Sequence, residues 1–427
     1  MLHVKNFSCL QAFQARLFSR KKDSSVRMGL FISAICAIFS SAAFSGTGIS
    51  LLWEKGIVRK DVNIISPYTI KVDEDKEVVR VAGVSYIYDR QKKPRKNSPE
   101  LFEYRLDLKD NTSETRTLMK MDEEDITVYH GSTHVEDSRI IGDKLLIVKS
   151  VYRSSDFQEL AIGIDWEVKT GKIPGLTRKS ASTIGGCRNM QGEVFLCGNS
   201  GYIRKVNSDG TVGWDTNYES DKSDTTLDVA FSESEKMLFA FGCSFVSDTK
   251  FTTKDSSLWL AKLDSNGNFK AKRGFEGHFN LGRRALFCLS ESDCPTAIYD
   301  NGGKKNLEIF VSKFSKDLKS KAWTTLLFEG KKMLIMPISL LPLENDYTLA
   351  ILYIIGRSSN SFNFYVLDDK GVLVNKGIFN INLNSPNCVT TVYKDQIFIA
   401  TVGNNLVEEN KNPFAKLLCF KIEDFYR

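Results

Sequence analysis

The 427-residue chain is 42% hydrophobic and 26% charged, with 29 glycines against 9 prolines, a turn-rich globular composition that excludes a disordered chain or a disulfide-stapled miniature. Its formal charge of +6 belongs to one end, because residues 1–45 carry six basic side chains and one acid, leaving 52 basic to 51 acidic groups beyond them. A body so close to neutral gives no ground for a nucleic-acid surface.

Residues 1–45 read as a leader. Arg20, Lys21, Lys22 and Arg27 precede an uncharged run, residues 28–44, which is too short and too rich in small residues for a comfortable membrane span. Ala43 and Ser45 flank Phe44 as the small residues of a secretory cleavage site before Gly46. The expectation is a secreted, extracellular or periplasmic protein with no transmembrane span in its mature form; a retained anchor and a targeting helix are the other readings, and Met28 is a possible true start.

From Gly46 onward the pattern is short strand, turn, short strand. Strand-like segments include Ile49 to Gly56, Lys71 to Tyr88, Leu145 to Val148, Ser257 to Leu263 and the alternating Ser361 to Leu367. Amphipathic runs of helical period stay short throughout, so the expected class is all-β. A hairpin phrase recurs, in which an apolar strand enters an Asp/Asn/Gly turn and a second strand leaves it. Its clearest copies are Ile203 to Trp214, Leu260 to Phe269 and Phe364 to Leu373. With the weaker copies, the first turn residues fall at 107, 165, 207, 264, 315, 368 and 423, in steps of 58, 42, 57, 51, 53 and 55.

A unit of about fifty residues made only of strand and turn has the length of a four-stranded propeller blade. The sequence therefore predicts a seven-bladed β-propeller over residues 46–427, with blades near 57–118, 138–177, 181–219, 225–275, 283–329, 332–382 and 387–427. The last turn begins four residues before the C-terminus, so the outermost strand of that blade is expected from residues 49–56, the first strand of the mature chain.

The segment Trp259 to Asn268, and with it Lys205 to Trp214, resembles the bacterial tandem-repeat propellers in which a strand ending in a KLD-type segment meets an NG turn and then a tryptophan strand. The wider pattern is similar to the quinoprotein-like and WD-like superfold. That resemblance implies the fold; such propellers include sugar binders, assembly scaffolds and enzymes, so it leaves function open.

Candidate sites are few. His130 and His134 lie four apart beside acidic residues 122–125 and are the low-ranking candidates for a metal site. His278 has no sequence-local partner. Asp264, Asn266 and Asn268 imitate the start of a calcium loop, but its twelfth position is Phe275, and a turn is the better reading. Cys187 and Cys197 flank a hairpin turn, and Cys288 and Cys294 flank a short loop, making two possible disulfides among seven cysteines beyond the leader. Trp166, Trp214, Trp259 and Trp323 fall one per blade and are expected to pack between blades. No contiguous nucleophile, zincin, phosphate-loop or dinucleotide motif is found, and no cofactor is expected.

These readings favour an exported, non-catalytic propeller that binds a protein or glycan through the connections at 88–101, 120–135 and 245–257. The alternatives are a polysaccharide hydrolase or lyase, using carboxylates with His130, His134 or His278 at the channel mouth, and a scaffold within a cell-envelope assembly.

Overall fold

Alternating and near-continuous apolar runs organise the chain into thirty β-strands among the described residues. In the computed structural model these are residues 49–422 apart from 60–61, 63, 87–99, 121–134, 142–143, 150, 153–156, 159, 163–167, 171–182, 199–200, 209–210, 221–222, 246–256, 278–284, 302–306, 331–333, 357–358, 382–387 and 403–413. The expected leader lies outside them. No helix among the described residues is long and apolar enough to cross a membrane.

The first strand, β1 (Ile49–Val58), leads into a sheet of β2 (Ile64–Asp73), β3 (Val78–Tyr86), β4 (Glu100–Asp107) and β5 (Ser113–Lys120). Three two-stranded ladders follow: β6 (Val135–Ile141) with β7 (Lys144–Lys149), β8 (Val151–Tyr152) with β9 (Phe157–Gln158), and β10 (Leu160–Ile162) with β11 (Val168–Thr170). Four-stranded order resumes with β12 (Thr183–Arg188), β13 (Val194–Gly198), β14 (Tyr202–Val206) and β15 (Val212–Asn217). Next come β16 (Ser223–Ser232), β17 (Met237–Phe245), β18 (Ser257–Leu263) and β19 (Phe269–Phe275), then β20 (Leu286–Leu289), β21 (Pro295–Asp300), β22 (Leu307–Phe314) and β23 (Lys321–Gly330). A further sheet holds β24 (Leu334–Pro342), β25 (Thr348–Ile355), β26 (Asn360–Leu367) and β27 (Leu373–Ile381). The last combines β28 (Cys388–Tyr393), β29 (Gln396–Thr401) and β30 (Phe414–Ile422) with β1, in the order β1-β30-β29-β28.

Six four-stranded antiparallel sheets thus stand where seven equal units were expected. Between 135 and 170 the described strands pair as three two-stranded ladders, and no four-stranded order like that of the other sheets is found among the described residues. The closing contact joins the first and last strands: β1 runs antiparallel to β30 with Ile49 opposite Ile422, Trp53 opposite Cys419 and Val58 opposite Phe414.

Apolar faces meet between neighbouring sheets. Phe239, Phe241, Leu258 and Leu260 of one sheet pack with Ala297, Tyr299 and Phe314 of the next, and Ile351, Tyr353 and Phe364 pack with Ile397, Leu418 and Phe420. Each fully buried side chain of this size contributes roughly 1.5–3 kcal/mol. The leading strand of each sheet lies beside the leading strand of the next: β12 by β16, β16 by β20, β20 by β24, β24 by β28, and β28 by β2. Between β2 and β12 stands β6, packed against both. This is a propeller-like repeat architecture.

Antiparallel order places the turns after the first and third strands at one end of a sheet and the connection after the second at the other. At the first of these ends the repeated phrase is realised where the sequence places it. Asp107 N donates to Thr112 O, Asn207 N to Thr211 O, Asp264 N to Asn268 O, Ser315 N to Ser320 O and Asp368 N to Val372 O, all at 2.8–3.0 Å.

These turns are also seams between sheets. The Trp214 indole donates to Ser265 O at 2.8 Å and the Trp323 indole to Asp369 O at 2.9 Å, each in the following sheet. The glycine of each receiving turn has positive φ, +81° at Gly267 and +79° at Gly371, and a Cβ there would stand 2.7 Å from Trp214 Cδ2 or 2.6 Å from Trp323 Cδ2. Where β19 lacks the tryptophan, Arg273 Nη1 reaches Leu318 O at 2.9 Å instead. From β1, Lys55 Nζ reaches Asn111 O at 2.9 Å.

Candidate functional site

At the end opposite these turns, β15 hands over to β16 through a short polar link. Tyr218 N donates to Gly201 O at 2.8 Å, and Gly201 N donates to Asp224 O at 3.0 Å, which pins the start of β16 against the turn before β14. Asp224 is buried. Its carboxylate accepts from Ser220 N at 2.8 Å, from Ser220 Oγ at 2.9 Å and from Ser244 Oγ at the end of β17. Three donors keep the buried charge in place.

Beside this carboxylate the Tyr218 ring lies flat on Trp259, with centroids 3.8 Å apart and planes 3° from parallel. The Lys272 ammonium sits 4.8 Å from the Tyr218 ring centroid and 4.2 Å from that of Phe269. Burial, and then the Asp224 charge, push the Tyr218 phenol above its ordinary pKa, so it keeps its proton at neutral pH. The same two causes push the Cys243 thiol up to about 12. The cluster therefore offers a buried carboxylate held by two serine hydroxyls and a backbone N–H, with a protonated phenol beside it able to donate a hydrogen bond.

The residues singled out from sequence are placed as follows. His130, His134 and His278, Trp166, and most of the connections at 88–101, 120–135 and 245–257 lie outside the described residues. Among the described residues no group of three or more His, Cys, Asp or Glu forms a metal site. Cys187 and Cys197 lie on adjacent strands as expected, but the register sets Cys187 opposite Phe195 and Cys197 opposite Gly185, so they are not cross-strand partners. Cys288 stands opposite Thr296, and both Cys288 and Cys294 are thiols in the structure. Asp264 holds its own turn: its carboxylate accepts from Asn266 N and Asn268 N, both at 2.9 Å, and Lys270 pairs with it at 2.8 Å.

A second concentration of charge lies in the first sheet. Glu103, only 1% exposed, takes Arg80 Nε at 2.6 Å, Arg105 Nε at 2.9 Å and Arg116 Nε at 2.7 Å. The ladder explains this, with Glu103 directly opposite Arg116 and Arg80 opposite Arg105. One carboxylate shared among three guanidiniums fixes the sheet internally.

Sequence reasoning missed the Asp224 cluster, because the strand that begins at Ser223 is buried at Asp224, Thr225 and Thr226 in succession and shows no alternation that would mark Asp224 as an inward residue.

No protein-family model matches the chain, and no curated protein matches it. Solved structures do: 570 chains match, so the architecture is widely shared and carries no single chemistry. One of them is the polysaccharide lyase Uly1, with a TM-score of 0.50 and 9% identity over 87% of this chain and 100% of that one. At that identity the likeness is one of fold. It stands against the non-catalytic reading and the lean away from an enzyme, which the lack of contiguous catalytic motifs had favoured: a chain of similar fold is a lyase, so that lack does not exclude catalysis.

Proposed function

We propose that the chain is an exported enzyme acting on a polysaccharide, and a lyase in preference to a hydrolase. The observation that supports this is the fold shared with a polysaccharide lyase over the whole of that chain. The chemistry at the Asp224 cluster favours elimination. Glycoside hydrolysis uses two carboxylates flanking the scissile bond, whereas this cluster gathers one carboxylate, already committed to three donors, with a protonated phenol beside it. Elimination from a uronic acid passes the C5 proton to a base, forms the C4–C5 double bond and breaks the C4–oxygen bond, the departing oxygen taking a proton; in this reading Asp224 receives the C5 proton and Tyr218 protonates the leaving oxygen.

The test is incubation of the purified chain with uronic-acid and neutral polysaccharides, following ultraviolet absorbance of the new carbon–carbon double bond together with reducing ends. A lyase raises both signals and a hydrolase only the second. Neither signal on any polymer would refute the enzymatic reading. Tyr218→Phe is expected to lower kcat at least tenfold.

In the same reading the ladders β6 to β11 complete a seventh blade. The support is the place of β6, packed against both β2 and β12 in the cycle of leading strands, with β10 against β7. Protected amides along β6 and β7 in hydrogen exchange would agree with this; exchange as fast as in a free peptide would remove the blade.

A further inference from the structure

We infer that the groove between β19 and the turn at residues 315–320 is a binding subsite for an anionic polysaccharide chain, bearing carboxylates or sulfates, that leads toward Tyr218. The inference rests on the polysaccharide-acting reading above and names its substrate class.

The groove has a volume of about 560 Å³ and is lined by Lys262, Lys270, Lys272, Arg273 and Lys319 against the single acid Asp317. Such a concentration stands out on a body whose basic and acidic groups otherwise balance. Three of the cations are partly neutralised. Lys262 meets Glu235 at 2.6 Å, Lys270 meets Asp264 at 2.8 Å and Lys319 meets Asp317 at 3.6 Å. Lys272 and Arg273 have no carboxylate within ion-pair distance among the described residues, and they sit side by side in sequence.

Arg273 supplies a second observation. Its Nη1 is taken by Leu318 O at 2.9 Å, while its Nε is buried with no hydrogen-bond acceptor among the described residues. Nε and the remaining nitrogen form the edge with which arginine grips a carboxylate or sulfate in bidentate fashion. Phe314 lies under the guanidinium at 5.7 Å, holding it flat.

The direction of the groove follows from β19, an outermost strand. Lys272 lies over Tyr218 on the side of the preceding sheet and Arg273 over Phe314 on the side of the following one, while Lys270 occupies the bulge between them and the turn. A polyanion crossing the outer edge of β19 from the Arg273 side meets Lys272 beside the phenol. A nucleic acid fits less well, because stacked bases need open aromatic faces, and the faces of Tyr218 are covered by Trp259 and Lys272.

The experiment measures binding of the full chain to polygalacturonate, a sulfated glycosaminoglycan, neutral dextran and single-stranded polynucleotide over a range of salt concentrations. It compares the unaltered chain with Lys270→Gln/Lys319→Gln, two exposed positions away from Tyr218. Expected are binding of at least one acidic glycan, none of dextran, weakening with salt, and about tenfold weaker binding by the double variant at low salt. Arg273→Lys, which keeps the charge but loses the fork, is expected to weaken binding severalfold. Unchanged affinity in the folded double variant, equal binding of dextran, or tighter binding of the polynucleotide would each overturn the subsite. Cleavage of a short acidic oligosaccharide separates the two readings. If the chain cleaves but the variants bind the polymer normally, the groove alone is wrong; if the groove binds and nothing is cleaved, the enzymatic reading alone is wrong.

Discussion

Trp323 donates its indole N–H to the carbonyl of Asp369 in the following sheet, 2.9 Å away, while its ring covers Gly371. Trp214 does the same to Ser265 and Gly267 one repeat pair earlier. The spacing of the repeated phrase is therefore a requirement of assembly, since each outer strand must find the turn of its neighbour.

The first prediction concerns those turns. Gly371→Ala and Gly267→Ala place a Cβ against an indole at a positive-φ position and are expected to cost about 3 kcal/mol each. Trp323→Phe loses mainly the hydrogen bond, about 1 kcal/mol. Urea unfolding midpoints provide the measurement, and a glycine variant as stable as the parent would show that the seam is loose.

A second prediction follows from the first sheet. Glu103→Ala leaves Arg80, Arg105 and Arg116 facing one another without their shared carboxylate, and is expected to cost about 3–5 kcal/mol. Calorimetry should show a markedly lower Tm, whereas a loss within one degree would mean that water replaces the carboxylate.

The pH dependence of stability has a defined contributor in Asp346. Burial alone would raise its pKa, but Lys313, Ser292 and Ser290 outweigh burial and hold it at about 2. A depressed carboxylate stabilises the fold fully above its ordinary range near 4, and that stabilisation disappears as pH falls through about 2. Partial exposure screens the effect to about 1 kcal/mol. Unfolding of Asp346→Asn against the parent should show this gap at pH 6 and its disappearance near pH 2; a gap constant with pH would mean another group carries it.

Three thiols should be inert. Burial pushes Cys243, Cys288 and Cys419 up to about 12, aided by the charges of Asp224, Asp228 and Asp395 respectively. At pH 8 about one thiol in ten thousand is ionised. Mass spectrometry after iodoacetamide treatment should find these positions modified only in denaturant. Omitting reductant from the denatured sample also tests the Cys288–Cys294 pairing, which would leave both unmodified.

The fold was readable where sequence encodes local geometry. Asp107, Asn207, Asp264, Ser315 and Asp368 each begin a turn where the repeat places them, because a short polar side chain that hydrogen-bonds its own turn and the flanking apolar strands fix the hairpin within a dozen residues. The pairing of Ile49 to Lys55 with the final strand was legible from the missing partner of that strand. The copy of the phrase expected at Asp165 lies outside the described residues. The candidate site was harder to read. Asp224, Ser244 and Lys272 come from three strands of one sheet and Tyr218 from the link that leads into it, and no spacing along the chain announces that. Ala271 occupies the ladder position held by Trp214 and Trp323 in their sheets, and Arg273, two residues on, supplies the guanidinium of the proposed glycan groove.

The seam between β1 and β30 gives the molecule a vulnerable moment. The two strands are separated by more than 350 residues, so bringing them together carries the largest loop-closure cost of any pairing in the sheet. Until it forms, β30 presents Leu417 to Phe420 on an unpaired edge, which another chain's β1 fits as well as its own. At high concentration, refolding molecules can exchange their opening strands and emerge as interlocked dimers.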